Sequence, residues 1–488
     1  MTALLPLLIL MTSLVPAIAI FLTPDDRPRL RAALNLGGAF AKLGLVALML
    51  VGVAGGAAYD VAFPLLPGLE FRLKIDALGL LFLTLSAFLW LLTTLYAIAY
   101  FEGTPNQSRF FGFFSLCVAA TTGVALSGSL ITFFIFYELL TLSTWPLVAH
   151  KGDDKSLKGA RSYLAYTLGG SVVFLVGIVW LESLAGPVLF AEPGALDGLD
   201  ARSLALIFAL LVVGLGVKAA IVPLHGWLPT AMVAPAPVSA LLHAVAVVKA
   251  GAFGIVRIVY DVFGHARVQE LHVGLPLAII ASVTIVWGSL RALSQLDIKR
   301  RLAFSTVSQV SYILLGAAIA GPAATVGGLV HLVHQGLMKI TLFFAAGALA
   351  ERQGITRVDQ LDGVGRRMPL TMLAFSLAAI GMIGVPPIAG FVSKWMLGTG
   401  AVQAGDLWVL FVLAASSLLN AAYFLPLIER AWFRPSPAGA PAGREGPAAL
   451  IWPAVVTGLV ALLAGLFAGL PLSPLGWASM IAERTYGL

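Results

Sequence analysis

Seven residues of this sequence that carry charge at neutral pH stand inside long apolar runs: Glu138, Lys218, Lys249, Lys339, Lys394, Lys42 and Arg257. A lysine at the centre of a membrane helix costs roughly 2.5–3.5 kcal/mol on insertion scales. Four central lysines therefore cost on the order of 10–14 kcal/mol, as much as the net stability of a whole domain. Proton exchange is the chemistry that makes use of them. A buried amine gives up its proton more readily than one in water, and a carboxylate beside it restores the proton. Arginine cannot serve this way, because its guanidinium does not deprotonate in proteins. His243, His331 and His334 add imidazoles, which titrate at about 6.5 when unperturbed.

Position separates these groups. Glu138 is the one carboxylate that falls deep in a run, within Phe136-Tyr137-Glu138-Leu139-Leu140. His331, Gln335 and Lys339 recur every four residues and share one helical stripe, with His334 beside it. Lys249 follows His243 by six residues, which places the two on different faces and suits relay along the axis rather than pairing. Lys42 and Arg257 lie where a long side chain could reach an interface, so snorkelling is expected of both.

The elements that must hold these groups follow from composition. The chain has 488 residues, 59% hydrophobic and 11% charged, with a mean hydropathy of +0.97. A soluble domain carries roughly 25% charged residues, so this chain could not cover a soluble surface. At roughly 35 residues for a span and its loop, the length accommodates about fourteen spans, and apolar runs can be marked from 3–22 to 449–470. The first run has no preceding Lys or Arg and no cleavage pattern, so it is expected to be a retained span. With the N-terminus outside, nineteen Lys and Arg (Arg444 among them) fall in inside loops and five outside, which sets orientation by the positive-inside rule. The formal charge of +7 is then a topology signal, not a nucleic-acid footprint. The expectation is an all-α polytopic protein of the cell membrane with both termini outside.

Other classes are excluded by what the sequence lacks. A single cysteine, Cys117, permits no internal disulfide and no iron–sulfur cluster. There is no Walker A stretch. Gly214-Leu215-Gly216 only approximates a dinucleotide fingerprint, sits in an apolar run and reads as helix packing. No cofactor, no metal and no catalytic residue is expected.

Two runs are interrupted alike. Pro223-Leu224-His225-Gly226-Trp227 and Pro387-Ile388-Ala389-Gly390-Phe391 share the order Pro-x-x-Gly-aromatic, and Pro386 precedes the second. Proline removes a helix hydrogen bond and glycine permits a bend. Lys218 lies five residues before its proline, and Lys394 seven residues after Pro387. Interrupted segments at matching places in two halves point to a transporter with internal repeats. The breaks fall in the seventh and twelfth spans, so the expected organisation is three N-terminal spans (1–108) followed by a five-span unit (109–261). An inverted five-span unit (271–428) and a C-terminal loop with the last span (429–488) complete it.

These residues resemble a known family, the antiporter-like, proton-translocating membrane subunits shared by respiratory complex I, membrane-bound hydrogenases and Mrp-type multisubunit cation/proton antiporters. The resemblance is carried by Phe136 to Ser143, Lys218 to Pro229, Ala234 to His243, Lys249-Ala250-Gly251, Met338-Lys339 and Pro386 to Lys394. It implies fourteen spans with two inverted five-helix repeats and broken helices 7 and 12. It implies that Glu138 and Lys218 are a coupled acid–lysine pair, that Lys249 and the His331/Lys339 region form a central hydrophilic axis, and that Lys394 ends the channel. Lys at 394 together with the length looks most like the D-type subunit of an Mrp-type antiporter, or its counterpart in a hydrogenase-related complex. Many relatives carry His where Gln335 stands here; glutamine takes up no proton at useful pH, so His334, His331 or water must serve.

The function expected is proton translocation within a hetero-oligomer that exchanges protons for a monovalent cation. Its expected partners are other membrane subunits and the lipid bilayer, with no nucleic acid. A redox-driven complex is the alternative, and a membrane subunit of an inorganic-carbon uptake complex a third.

Overall fold

In lipid every backbone N–H and C=O must be satisfied within the protein, so apolar runs of this length become helices. The computed structural model describes residues 4–66, 69–191, 194–319, 321–437 and 445–487; Arg444 lies outside them. The chain opens with α1 (Leu5–Phe21), α2 (Pro28–Ala54), α3 (Ala77–Tyr100), α4 (Gln107–Leu126) and α5 (Leu130–Val148). It continues through α6 (Asp154–Ala185), α7 (Ala201–Lys218), the short α8 (Trp227–Thr230), α9 (Ala236–Ala244), α10 (Val247–Arg257) and α11 (His265–Glu270). Next come α12 (Gly274–Leu293), α13 (Ile298–Ala318), α14 (Pro322–Gln353), the short α15 (Val364–Arg367) and α16 (Pro369–Ile383). α17 (Ala389–Ala404), α18 (Trp408–Phe433), α19 (Ala448–Leu466) and α20 (Pro474–Tyr486) complete it.

Among the described residues, eleven segments are long and apolar enough to cross a membrane, and α1 and α16 are shorter apolar helices. The chain is a helical, multi-pass membrane protein; length and apolarity alone do not fix the number of spans at fourteen. Its contacts divide it into two compact units. One comprises Met1–Thr94, Phe101–Ala219 and Val245–Val273, the other Leu95–Tyr100, Ala220–Ala244 and Gly274–Leu488.

In the first unit, α6 and α7 approach through small residues, the usual device of membrane helices. A Cβ on Gly214 would lie 2.6 Å from the Phe174 backbone nitrogen, and one on Gly170 2.6 Å from Val217 Cγ2. Gly251 of α10 meets the end of α7 in the same way, with Lys218 C 2.8 Å from a Cβ placed there. In the second unit, α14 is the core: residues 324–349 are all buried, and α9, α13, α16, α17, α19 and α20 contact it.

Both expected helix breaks are present. α7 stops at Lys218, Ala220 follows at φ +58° and the Val222–Pro223 peptide is cis. α16 stops at Ile383, Gly384 turns at φ +96° and the Pro386–Pro387 peptide is cis before α17 begins at Ala389.

Two local features go beyond the sequence reading, and two expectations are corrected. Residues 59–75 hold an antiparallel hairpin of β1 (Tyr59–Leu66) and β2 (Leu69–Ile75), pairing Tyr59 with Ile75 and Phe63 with Phe71. In β2 the apolar residues Leu69, Phe71, Leu73 and Ile75 recur at every second position, the period of a strand. The apolar span Ala236–Val262 is divided: α9 gives way to α10 at Ala246, where φ is −100° and ψ −96°, and the span ends in a π-helical turn, Ile258–Val262. Lys42 does not snorkel; it is fully buried, because Ser13 and Thr122 hold its ammonium in place of an interface. Arg257 is buried as well, since Asp76 and Asp261 both reach it, the latter at 2.6 Å.

Replacing Gly214 with Val should lower the thermal unfolding midpoint in detergent, at a cost of about 1–3 kcal/mol. An unchanged midpoint would show that α6 and α7 are not in this close contact.

Candidate functional site: buried lysines and their partners

In the first unit the pair expected from the sequence is assembled. Lys218 is the last residue of α7, where a cation meets the negative end of the helix dipole. Its Nζ lies 3.7 Å from Glu138 Oε1 on α5, with the lysine side chain wholly buried and the glutamate 20% exposed. Nζ also donates to the Tyr137 carbonyl oxygen and stands 3.2 Å from the centre of the Tyr137 ring. The carboxylate is held in turn: Ser171 donates to Oε1, and Thr141 lies 3.5 Å from the same oxygen. Cys117 is buried on α4, its Sγ 3.4 Å from Thr144 Oγ1 of α5. Lys249 is buried on α10, two residues before the Gly251 contact that seats this helix against Lys218.

In the second unit the lysines use neutral oxygens. Lys339 of α14 donates to Ser305 Oγ at 2.8 Å. The Tyr423 hydroxyl of α18 bonds the same Ser305 at 3.0 Å and also Asn420 Oδ1. Asn420 Nδ2 donates to the Met382 carbonyl at 3.1 Å, and Lys394 Nζ donates to that carbonyl at 3.2 Å. Lys394 further donates to Ile383 O at 2.7 Å and Ser417 Oγ at 3.0 Å. A continuous hydrogen-bonded line thus joins Lys339 to Lys394, and it ends on carbonyls freed where α16 stops. Among the described residues neither lysine has a carboxylate within ion-pair distance.

The histidines line the same unit. His331 Nδ1 is 2.8 Å from Ser393 Oγ, and its ring stacks on Tyr312 with centroids 5.0 Å apart. His243 stacks on Phe343 at 4.5 Å. His334 is fully buried on α14. His243 and Lys249 occupy different helices, α9 and α10, and different compact units.

The connecting residues are ones that sequence reasoning does not single out. Ser305, Ser308, Gln309 and Tyr312 form one buried stripe on α13, and Ser416, Asn420 and Tyr423 another on α18. Their spacing of three and four within an apolar run is the one signal of them in the sequence. The side-chain amides of Gln309 and Gln335 are buried without a protein partner, and such groups are where ordered water belongs. Hydroxyls and water can relay a proton between amines, whereas the Asn420 amide and the Met382 carbonyl can only hold such a chain in place.

Known proteins share this arrangement of helices. Residues 127–420 match the family described as NADH:quinone oxidoreductase/Mrp antiporter, TM, and residues 68–111 match NADH-Ubiquinone oxidoreductase (complex I), chain 5 N-terminus. The chain is 36% identical over 488 residues to NADH-quinone oxidoreductase subunit N of Desulforudis audaxviator, covering 96% of each. It is 27% identical over 399 residues to the D-type subunit of the Na(+)/H(+) antiporter of Bacillus subtilis, covering 81% of this chain and 80% of that one. A chain of the Mrp complex from Dietzia sp. superposes with a TM-score of 0.87 at 26% identity, covering 99% of this chain and 98% of the other.

The Tyr423 hydroxyl links Ser305 to Asn420, so Tyr423→Phe cuts the line while keeping the ring. Its stability cost should be small, about 1 kcal/mol, with proton movement in proteoliposomes of the assembled complex slowed several-fold. An unaltered rate would show that protons do not use this hydroxyl.

Proposed function

Because this chain belongs to the NADH:quinone oxidoreductase/Mrp antiporter transmembrane family, we propose that it moves protons along its buried Glu, Lys and His residues as an antiporter-like membrane subunit of a larger complex. The observation that carries the reading is the Lys218–Glu138 pair, 3.7 Å apart at the end of a broken helix. With Glu138 close, Lys218 keeps its proton; when Glu138 withdraws, the unpaired ammonium becomes costly and the proton leaves. The proposed order along the path is Glu138 and Lys218, then Lys249, then His331 and Lys339, then Lys394. His243 and His334 are auxiliary groups, and the breaks at Pro223–Gly226 and Pro386–Gly390 supply the free carbonyls. The segments 109–261 and 271–428 are proposed as inverted repeats in the cell membrane, with both termini outside.

Two assemblies could drive this path. An Mrp-type monovalent cation (Na+)/proton antiporter, with this chain as its D-type member, is supported by the lysine at 394 and by the likeness to the Mrp complex. A redox-driven complex is supported by the higher identity, 36%, to a quinone oxidoreductase subunit. Co-purification separates them: iron–sulfur or nickel signals mark a redox complex, whereas small membrane partners with sodium-dependent exchange mark an antiporter.

Glu138→Ala and Lys218→Ala should each abolish proton translocation in proteoliposomes while the complex still assembles. Full activity in both variants would end this mechanism.

A further inference from the structure

A fifth lysine stands apart from that path. The buried face of α2 carries three polar residues, Arg31, Asn35 and Lys42, at spacings of four and seven that keep them in one row. α4 answers with hydroxyls at heptad spacing, Ser108, Ser115 and Thr122. Arg31 Nη1 donates to Ser108 Oγ at 3.0 Å, Ser115 donates to Asn35 Oδ1 at 2.7 Å, and Lys42 Nζ donates to Thr122 Oγ1 at 2.6 Å. Ser13 of α1 accepts a second Lys42 bond at 3.0 Å, and the Trp90 ring of α3 lies 4.6 Å from Nζ. The row begins at a loop, where Asp25 accepts from the Ser108 backbone N–H at 2.8 Å.

On α2 the polar residues lie on one side of Lys42, Asn35 and Arg31, with Gly38 and Ala39 filling the turns between Asn35 and Lys42. Beyond it the buried face continues with Val46 and Met49. Eleven residues separate Arg31 from Lys42, a rise of about 16 Å, so the amine lies near the middle of a 27-residue helix. No carboxylate faces it: α1 has no titratable residue, α3 only Tyr96 and Tyr100, and α4 only Arg109 and Cys117. Two hydroxyl contacts need only a neutral polar side chain; lysine adds a transferable proton.

We propose that Lys42 is a second proton-exchanging site of the first unit, separate from Glu138 and Lys218 and open only toward the Asp25–Arg31 end of α2. The ammonium passes one proton to a water molecule in the polar row, leaving a neutral amine and a hydronium ion, and the reverse step reloads it.

The test uses the intact complex in proteoliposomes with 15N-labelled lysine side chains, the Lys42 signal being assigned by its loss in Lys42→Arg. The signal should change from ammonium to amine as pH is raised on the Asp25–Arg31 side and ignore pH on the other. A signal fixed in one form, or one that follows the opposite side, overturns the proposal. Lys42→Met and Lys42→Arg should both shift the pH profile of translocation, whereas full rescue by Arg means a fixed structural charge and overturns it. Should Lys42→Met fail to assemble, Asn35→Leu keeps the amine but interrupts the row, and the titration should then equilibrate several-fold more slowly; an unchanged rate counts against the proposal. Loss of translocation in Glu138→Ala leaves the Lys42 signal readable, so the two readings fail independently.

Discussion

An ammonium inside a bilayer must find a carboxylate, a set of oxygens or water, and the architecture of this chain is arranged around that requirement. Lys218, Lys339 and Lys394 each meet it with oxygen atoms from helices other than their own. Lys218 uses the Tyr137 carbonyl and Glu138, Lys339 uses Ser305, and Lys394 uses the end of α16. The hydroxyls and carbonyls that serve are themselves fixed by helix contacts, so the amines are positioned by tertiary structure rather than by their own flexible stems.

The two units solve the same problem with different chemistry. A carboxylate beside Lys218 can strengthen or weaken its hold by moving, because the attraction of opposite charges in a poorly polarisable interior changes steeply with distance. The neutral oxygens around Lys339 and Lys394 offer no such lever, but they connect the two amines through bonded groups. One unit thus holds its lysine against a charge, and the other holds two lysines among neutral oxygens.

Much of this is legible in the sequence because membranes tolerate so few charges. Glu138, Lys218, Lys339 and Lys394 stand out against apolar runs, and the repeated Pro-x-x-Gly-aromatic order exposes both breaks. The division between α9 and α10 is not legible, since Ala244 to Val248 contains neither proline nor glycine and the turn is imposed by surrounding helices. The hairpin is hidden because β1 lacks strict alternation: Ala62 and Leu66 are apolar where a polar residue would mark the period. Ser305, Asn420 and Tyr423 escape notice because isolated hydroxyls and amides are ordinary in membrane helices, and only packing shows which of them meet. Lys42 defeats sequence reasoning for a related reason: its reach to an interface is a property of its own helix, whereas its hydroxyl partners belong to others.

α14 carries His331, Gln335 and Lys339 on a single unbroken helix enclosed on every side. A rod seated so tightly cannot turn or slide without displacing its neighbours, and packed interiors resist such displacement. It is the stator of its unit. Any adjustment near it falls to side-chain rotation and to the interrupted backbone around Pro386 and Pro387, which leaves the spacing of the three groups fixed by one helix.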